Sequence, residues 1–177
     1  YDIEADFEKI WSPDQPHFGK QMSARLIKTL LVEDNESYSR LVVKMLAGAG
    51  DGGFDIESVD TLAGGINLLE EKVFDLVLLD LHLPDSDGLK TFSEIHERYP
   101  GIPVIVLTGT SDEDTAVKAV QLGAQDYLVK GEMEILQLSR SIKYALERQR
   151  EINKRKLTEQ ALFEEKERLA VTLASIG

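Results

Sequence analysis

The chain has 177 residues, of which 42% are hydrophobic and none is cysteine; this supports one domain of ordinary size and excludes disulfides, thiolate catalysis and the usual structural zinc sites. It contains no run of 18 apolar residues and no recognisable secretion leader, so we expect a cytoplasmic protein without membrane contact. The net charge of −12 is concentrated in residues 28–131, whose nineteen acidic and eight basic residues give −11, and such a domain repels the phosphates of nucleic acids rather than binding them directly.

Five short apolar runs alternate with amphipathic stretches after an irregular lead-in, residues 1–25, to which the sequence assigns no function. Most of these runs lack polar alternation, which is typical of strands buried on both faces of a parallel sheet. The pattern predicts an α/β fold, a doubly wound (βα)₅ domain with a five-stranded parallel sheet, over residues 26–150. The predicted strands are Ile27–Glu33, Phe54–Val59, Leu76–Asp80, Val104–Thr108 and Asp126–Val129, and the predicted helices are 36–48, 61–72, 88–98, 113–122 and about 133–174.

The last predicted helix has roughly 40 residues and a length of about 60 Å, more than a single domain can use. We therefore expect residues 151–177 to be a helical linker that packs against another chain or connects to another domain. Apolar residues follow the spacing of a coiled-coil seam with one change of register, which predicts a parallel homodimer through this helix. A solvated charged helix is the alternative, because Lys156 and Glu165 interrupt the apolar stripe. The seam positions are Leu138, Ile142, Ala145, Gln149, Ile152, Leu157, Leu162, Leu169 and Ile176.

Polar side chains stand at the ends of four predicted strands. Glu33 and Asp34 end the first strand, Asp80 the third and Thr108 the fourth, while the fifth leads into Lys130. The carboxyl ends of the strands in an open parallel sheet form one ligand-binding edge, so we expect these side chains to converge. Taken alone, each has an ordinary interpretation; Glu33 and Asp34, for example, also suit the N-terminus of a helix. Their occurrence at successive strand ends favours a single chemical site.

These residue types fit the transfer of a phosphoryl group to a carboxylate. Asp80 follows four apolar residues, where an unpaired carboxylate is costly, and it can act as the nucleophile. Neighbouring carboxylates can hold Mg²⁺ or Mn²⁺, which offsets the negative charge of the incoming group. Lys130 and Thr108 supply an ammonium and a hydroxyl where charge accumulates.

Four motifs, in order, resemble the receiver domains of bacterial two-component response regulators. They are Leu30–Asn35, Phe74–Gly88, Val104–Gly109 and Gly123–Lys130, and the resemblance covers about residues 28–145. It implies a flavodoxin-like fold of the CheY type. It also implies that a sensor histidine kinase, or a histidine phosphotransfer domain, donates the phosphoryl group.

The resemblance implies a metal site with ligands from three strand ends. Asp34 and Asp80 would bind the metal directly, and Glu33 would act through water. His82 would contribute its backbone carbonyl only, with an imidazole that is a bystander or a tuner of hydrolysis.

The resemblance further implies a phosphoacceptor and a conformational switch. Asp80 is the implied acceptor, with Thr108 and Lys130 as its catalytic partners. Tyr127 occupies the position of the aromatic switch residue, which turns inward when Thr108 moves toward the phosphoryl group. One position departs from the family pattern: Gly131 follows Lys130, where a proline with a cis peptide bond is common, so the shape of this loop stays open.

The end of the chain suggests a connection to an output domain. Glu164–Gly177 resembles the helix that leads into a PAS sensory domain in multidomain signalling proteins, often cyclic-di-GMP enzymes with GGDEF or EAL domains and sometimes histidine kinases. The chain would then be an N-terminal piece of such a protein. A receiver alone would catalyse only its own phosphorylation and dephosphorylation.

Two other functions remain to be distinguished from a receiver. A receiver-like dimerisation module that is never phosphorylated usually lacks the acceptor, the lysine or the acids, and all are present here. A phosphatase of the haloacid-dehalogenase type would need an Asp-x-Asp motif, which is absent after the first strand and at Asp80. A glycine pattern at 48–53 matches a dinucleotide-binding loop, but it lies between a helix and a strand instead of between a strand and a helix, so we interpret it as a turn.

Overall fold

The structure, a computed structural model, describes residues 26–47, 53–109 and 111–176. The predicted lead-in 1–25 and most of the predicted turn at 48–53 lie outside the described residues. Within the described ranges, none of the helices combines the length and the apolar character that crossing a membrane requires.

Strands and helices alternate along the described chain in the predicted order, with bounds close to those predicted. The first strand ends at Val32, one residue before the predicted end. The last helix starts at Ile135, after a turn in which Gly131 and Glu132 both donate backbone N–H bonds to the Val129 carbonyl. The elements are β1 (Ile27–Val32), α1 (Glu36–Ala47), β2 (Phe54–Val59), α2 (Leu62–Glu71), β3 (Leu76–Asp80), α3 (Leu89–Arg98), β4 (Val104–Thr108), α4 (Glu113–Gln121), β5 (Asp126–Val129) and α5 (Ile135–Ile176).

The five strands form one parallel sheet in the order β2-β1-β3-β4-β5, which confirms the predicted doubly wound fold. The order reverses between β1 and β3. The chain therefore leaves these two neighbouring strands toward opposite faces of the sheet, which opens a crevice at their carboxyl ends. This crevice is where the predicted acidic residues lie.

Apolar side chains cover both faces of the sheet, as the continuous apolar strands predicted. Within β3, Leu76 and Leu78 pack with α1 and α5, whereas Val77 and Leu79 pack with α2, α3 and α4. Every residue of β3 and β4 is buried. Asp80 and Thr108 thus stand at the ends of two fully buried strands.

The first part of α5 packs against its own domain, and this corrects the predicted dimer seam. Leu138, Ile142 and Ala145 are buried in the core beside α1 and the sheet, and Gln149 is buried as well. Seam spacing identifies the apolar side of a helix but not the surface that covers it. Only the later seam positions remain exposed, for example Leu162, whose exposed fraction is 55%.

A short antiparallel hairpin after β3 was not among the predicted elements. His82–Leu83 pairs with Ser86–Asp87. Between them, the Asp85 carboxylate accepts backbone N–H bonds from Leu62 and Ala63, both at 2.8 Å, and these bonds lower the pKa of Asp85. The hairpin is thereby fastened to the N-terminus of α2, beside the crevice.

Candidate functional site

The carboxyl ends of β1, β3 and β5 bring a lysine between two carboxylates. Lys130 Nζ lies 2.6 Å from Asp80 Oδ2, to which it donates a hydrogen bond, and 2.6 Å from Glu33 Oε2. The second contact is an ion pair outside hydrogen-bond geometry. The lysine side chain is 22% exposed, so solvent reaches part of it while its ammonium contacts both acids.

Asp80 is held in place by strand and turn geometry. It is the last residue of β3 and pairs with Leu107 of β4. Its Oδ1 atom accepts the backbone N–H of His82 at 3.1 Å. The carboxylate is thus oriented by one backbone donor and one ammonium, with only 4% of the residue exposed.

Burial is the dominant influence on Glu33. Its side chain is fully buried, and burial raises the pKa of Glu33 although Lys130 and the Asn35 N–H, at 3.1 Å, both favour the charged form. The nearby Asp80 charge raises this pKa further. The crevice brings three carboxylates, those of Glu33, Asp34 and Asp80, close to a single lysine, and this excess of acids favours a cation there.

Thr108 and Tyr127 lie on the neighbouring strands β4 and β5. Thr108 is buried and its hydroxyl donates to the Gly109 carbonyl at 3.2 Å. Tyr127 is half-buried against the core formed with α2, α3 and α4, where it pairs with Val106. The two side chains predicted to act as a switch therefore stand on adjacent strands, with Thr108 at the site edge.

Tyr38 closes one side of the crevice. Its ring lies under Lys130, with Nζ 5.1 Å from the ring centroid, and its hydroxyl contacts Met133 Sδ at 3.7 Å. Burial, together with the charges of Glu33 and Asp80, raises the pKa of Tyr38 to about 12. The phenol is therefore protonated at neutral pH and does not act as a base.

The His82 imidazole bridges two loops beside the crevice. Its Nδ1 atom contacts Asp87 Oδ1 across the hairpin, and Nε2 lies 3.1 Å from Asp112 Oδ2, an ion-pair contact outside hydrogen-bond geometry. The hydrogen bond to Asp87 is the main cause that raises the pKa of His82. His82 thus connects the loop after β3 to the start of α4.

Replacing Asp87 with Asn is expected to lower the pKa of His82 toward its ordinary value of 6.5, because it removes the main cause of the rise. The pKa of His82 in the folded protein lies above its value in the unfolded chain. The imidazolium therefore contributes stability fully below pH 6.5 and loses it as the pH rises through the folded pKa. Solvent screening keeps this contribution small, since the side chain is 41% exposed.

An NMR titration of the His82 ring protons measures this change. Asp114→Asn, an equivalent substitution in the first turn of α4, is the control and should leave the pKa of His82 unchanged. If His82 had the same pKa in the unmodified protein and in Asp87→Asn, this would contradict the hydrogen bond between His82 and Asp87.

Comparison with known proteins identifies the domain. The family model described as the response regulator receiver domain matches residues 29–142. The chain belongs to the response regulator receiver domain family. Receiver domains of response regulators are phosphorylated by histidine kinases and bind Mg²⁺ at an acidic pocket.

Curated relatives match the receiver domain over only part of their own length. The transcriptional regulatory protein ZraR of Klebsiella oxytoca is 37% identical over 109 residues, which are 62% of this chain and 24% of the relative. The luminescence regulatory protein LuxO of Vibrio campbellii is 37% identical over 100 residues, or 56% of this chain and 21% of the relative. The chain therefore spans about a quarter or less of the length of these relatives.

Solved receiver domains have the same fold. The signal receiver domain of an HD domain-containing protein from Pseudomonas fluorescens Pf-5 has a TM-score of 0.66 and 28% identity, covering 74% of this chain and 94% of that one. The receiver domain of a putative LuxO repressor protein from Vibrio parahaemolyticus has a TM-score of 0.64 and 30% identity, covering 72% and 95%. Both alignments cover most of the solved chain, so the receiver domain is the part that the proteins share.

The residues of this receiver domain fit a hard divalent cation. Oxygen atoms of Glu33, Asp34 and Asp80 lie within 4.8 Å of one another. Carboxylate oxygens are preferred ligands of Mg²⁺. The buried Glu33 Oε2 atom accepts no hydrogen bond, and this gives an independent reason for a cation at this position.

The receiver fold brings Glu33, Asp34, Asp80 and Lys130 to one edge, but sequence reasoning missed three neighbours of the site. Tyr38 was not singled out, although its position in the first turn of the helix that follows Asp34 points to the same strand end. Asp87 and Asp112 were also missed, because they meet His82 only through the hairpin and the start of α4. No local sequence signal marks such a contact between loops.

Proposed function

We propose that this receiver accepts a phosphoryl group on Asp80 from the phosphohistidine of a sensor kinase or a phosphotransfer domain. One observation carries the proposal: the nearly buried Asp80 carboxylate has an ammonium 2.6 Å away and two further carboxylates beside it. A structural ion pair would need only one acid. A group of three acids and one lysine is suited to a site that also takes up a cation and an anionic phosphoryl group.

In the proposed step, an Asp80 carboxylate oxygen forms a bond to phosphorus while the phosphorus–nitrogen bond of the donor histidine breaks. The imidazole leaves with the electron pair and takes up a proton. Lys130 keeps an ammonium next to the Asp80 carboxylate, where it can stabilise charge on the phosphoryl oxygens. Hydrolysis of the resulting acyl phosphate by water returns the carboxylate and releases phosphate.

A divalent cation, Mg²⁺ or Mn²⁺, would be held by Asp34 and Asp80 directly and by Glu33 through water, with the His82 backbone carbonyl completing the protein ligands. When bound, it would supply positive charge that neutralises the phosphoryl oxygens. The exposure of Asp34 supports its role as a direct ligand, since an exposed carboxylate can exchange water for metal readily.

Thr108 and Tyr127 are the proposed switch. Thr108 would turn its hydroxyl from the Gly109 carbonyl toward the phosphoryl group, and Tyr127 would move inward into the space released. The half-buried position of Tyr127, on the strand adjacent to Thr108, supports this pairing. The change would reach α5, which packs on the same sheet.

Incubation with acetyl phosphate and Mg²⁺, followed by intact-protein mass spectrometry, tests the proposed function. A receiver is expected to take up one phosphoryl group per chain and to lose it on treatment with hydroxylamine. Turnover of added phosphomonoesters without stable labelling would instead indicate a phosphatase. The absence of both would indicate a silent dimerisation module.

The exposed part of α5 is the proposed route to an output domain. Beyond Ile152, the described side chains of this helix are exposed, and Leu157, Leu162 and Leu169 form apolar positions among charged residues. We infer that a second copy of the chain covers Leu162 and Leu169, which are seven residues apart and share one side of the helix. A PAS domain after this helix, within a cyclic-di-GMP enzyme or a histidine kinase, stays a prediction from resemblance.

Leu162→Lys is expected to convert a dimer into a monomer at tens of micromolar protein, because it buries an ammonium in the seam. Gln160→Lys adds the same charge on the opposite side of the helix and should leave the dimer intact. Sedimentation equilibrium measures the mass of each variant. A monomeric mass for the unmodified chain, or equal masses for both variants, would contradict dimerisation through this face.

A further inference from the structure

The loop between β5 and α5 holds Lys130 at the site and continues into an exposed turn, in which Gly131 and Glu132 donate backbone N–H bonds to the Val129 carbonyl at 3.2 Å. Lys130 N–H donates to the Thr108 carbonyl at 2.7 Å, which continues the sheet. The next residue, Gly131, is exposed, and a Cβ atom built there would meet nothing within 4 Å. The peptide bonds of the described residues are all trans. At Gly131 the turn after the lysine is therefore held by backbone bonds, without side-chain packing.

Tyr38 projects from a well-fixed backbone. Its N–H is capped by Asn35 Oδ1 at 3.0 Å, and the Asn35 carbonyl accepts the first backbone bond of α1, from Ser39 at 2.9 Å. The Asn35 N–H is in turn bound by Glu33 Oε1. The start of α1 is therefore tied to one of the carboxylates that Lys130 contacts.

The Tyr38 side chain contacts the loop on both sides of Gly131. Before the glycine, its ring faces the Lys130 ammonium at 5.1 Å from the centroid, within the range of a cation–π contact. After the glycine, its hydroxyl donates to Met133 Sδ at 3.7 Å. Because the pKa of Tyr38 is raised to about 12, the hydroxyl keeps its proton.

We propose that Tyr38 is a positioning residue: its ring and hydroxyl clasp the loop around Gly131 and hold the Lys130 ammonium between Asp80 and Glu33. A lysine has a flexible four-carbon stem, and at a partly open site it gains rotamer freedom by turning into solvent. The ring face opposes the turning of the lysine into solvent, since it attracts the ammonium at 5.1 Å from the ring centroid. The inference rests on the proposed function only for its kinetic consequence, because the clasp itself is a property of the unphosphorylated protein.

Two substitutions separate the ring from the hydroxyl. Tyr38→Leu removes both and is expected to lower the initial rate of phosphorylation by acetyl phosphate about fivefold, the factor expected for a partly desolvated cation–π contact. Tyr38→Phe keeps the ring and should stay within about twofold of the unmodified rate. Tyr144→Leu, the same change at an exposed tyrosine of α5, is the matched control.

A second readout needs no phosphorylation. In protein carrying ¹³C-labelled lysine, the Lys130 CεH₂ signal, assigned with Lys130→Arg, should be displaced by the ring current of Tyr38. The displacement should persist in Tyr38→Phe and Tyr144→Leu and disappear in Tyr38→Leu. An undisplaced signal in the unmodified protein, or one that Tyr38→Leu leaves unchanged, would overturn the clasp whether or not any variant folds less well.

The two readouts distinguish failure of the clasp from failure of the proposed function. If the unmodified chain takes up no phosphoryl group while the Lys130 signal responds as expected, the clasp stands and the phosphoacceptor role fails. If Tyr38→Phe and Tyr38→Leu slow phosphorylation equally, the ring is not the positioning element and the inference is refuted.

Discussion

Asp80→Asn is expected to reduce phosphoryl incorporation from acetyl phosphate to background, at least about 100-fold below the unmodified chain, because an amide is not a nucleophile toward phosphorus. The fold should persist. The amide oxygen can still accept the His82 N–H, and Lys130 keeps its contact with Glu33. Loss of one of three neighbouring negative charges also relieves repulsion, so the free energy of unfolding should change by no more than about 1 kcal/mol.

The control for this substitution is Asp60→Asn. Asp60 follows β2 at the same edge of the sheet and is exposed, so its change to Asn keeps the size and removes a charge without touching the site. Intact-protein mass spectrometry should find full labelling in this control and none in Asp80→Asn. Undiminished labelling of Asp80→Asn would exclude Asp80 as the acceptor.

Asp34→Ala is expected to weaken Mg²⁺ binding at least about tenfold and to slow phosphorylation in parallel, because it removes an exposed carboxylate ligand. A ligand that binds only the folded state stabilises it, by about 1.4 kcal/mol at ten times its dissociation constant. Added Mg²⁺ should therefore raise the unfolding midpoint of the unmodified chain and leave that of Asp34→Ala almost unchanged. Urea denaturation with and without the metal measures both midpoints.

Glu36→Ala is the matched control for the metal prediction. Glu36 is also an exposed acid, two residues further along, but it is paired with Arg40 within α1 and does not belong to the acidic cluster. Its variant should keep the full Mg²⁺ response. An equal rise of the midpoint in Asp34→Ala and in the unmodified chain would remove Asp34 from the proposed metal site.

The placement of polar residues at the strand ends was the most predictable part of this protein. Continuous apolar runs predict buried parallel strands, and in such a sheet all carboxyl ends lie on one edge. That geometry follows from topology alone, so the meeting of Glu33, Asp80 and Lys130 could be expected although about a hundred residues separate the first from the last. The four motifs also predicted the receiver-domain family, and the match to the family model confirms it.

The surface that packs on the apolar side of α5 could not be predicted in the same way. The spacing of Leu138, Ile142 and Ala145 specifies one apolar side of a helix, and it is equally compatible with a partner helix or with a sheet of the same chain. The structure places these residues on the sheet and on α1, and leaves Leu162 and Leu169 exposed. Which surface covers an apolar stripe is a matter of long-range packing that no periodicity encodes.

The sequence by itself therefore determined the sheet, its order of elements and the convergence of acids with a lysine, because these depend on local hydrophobic patterns and on the common direction of parallel strands. Only the tertiary structure decided the side-chain contacts that involve loops: Tyr38 of α1 against Lys130 and Met133, and His82 between Asp87 and Asp112. Loop side chains carry no periodic signal, and their partners are fixed only after the strands and helices have packed.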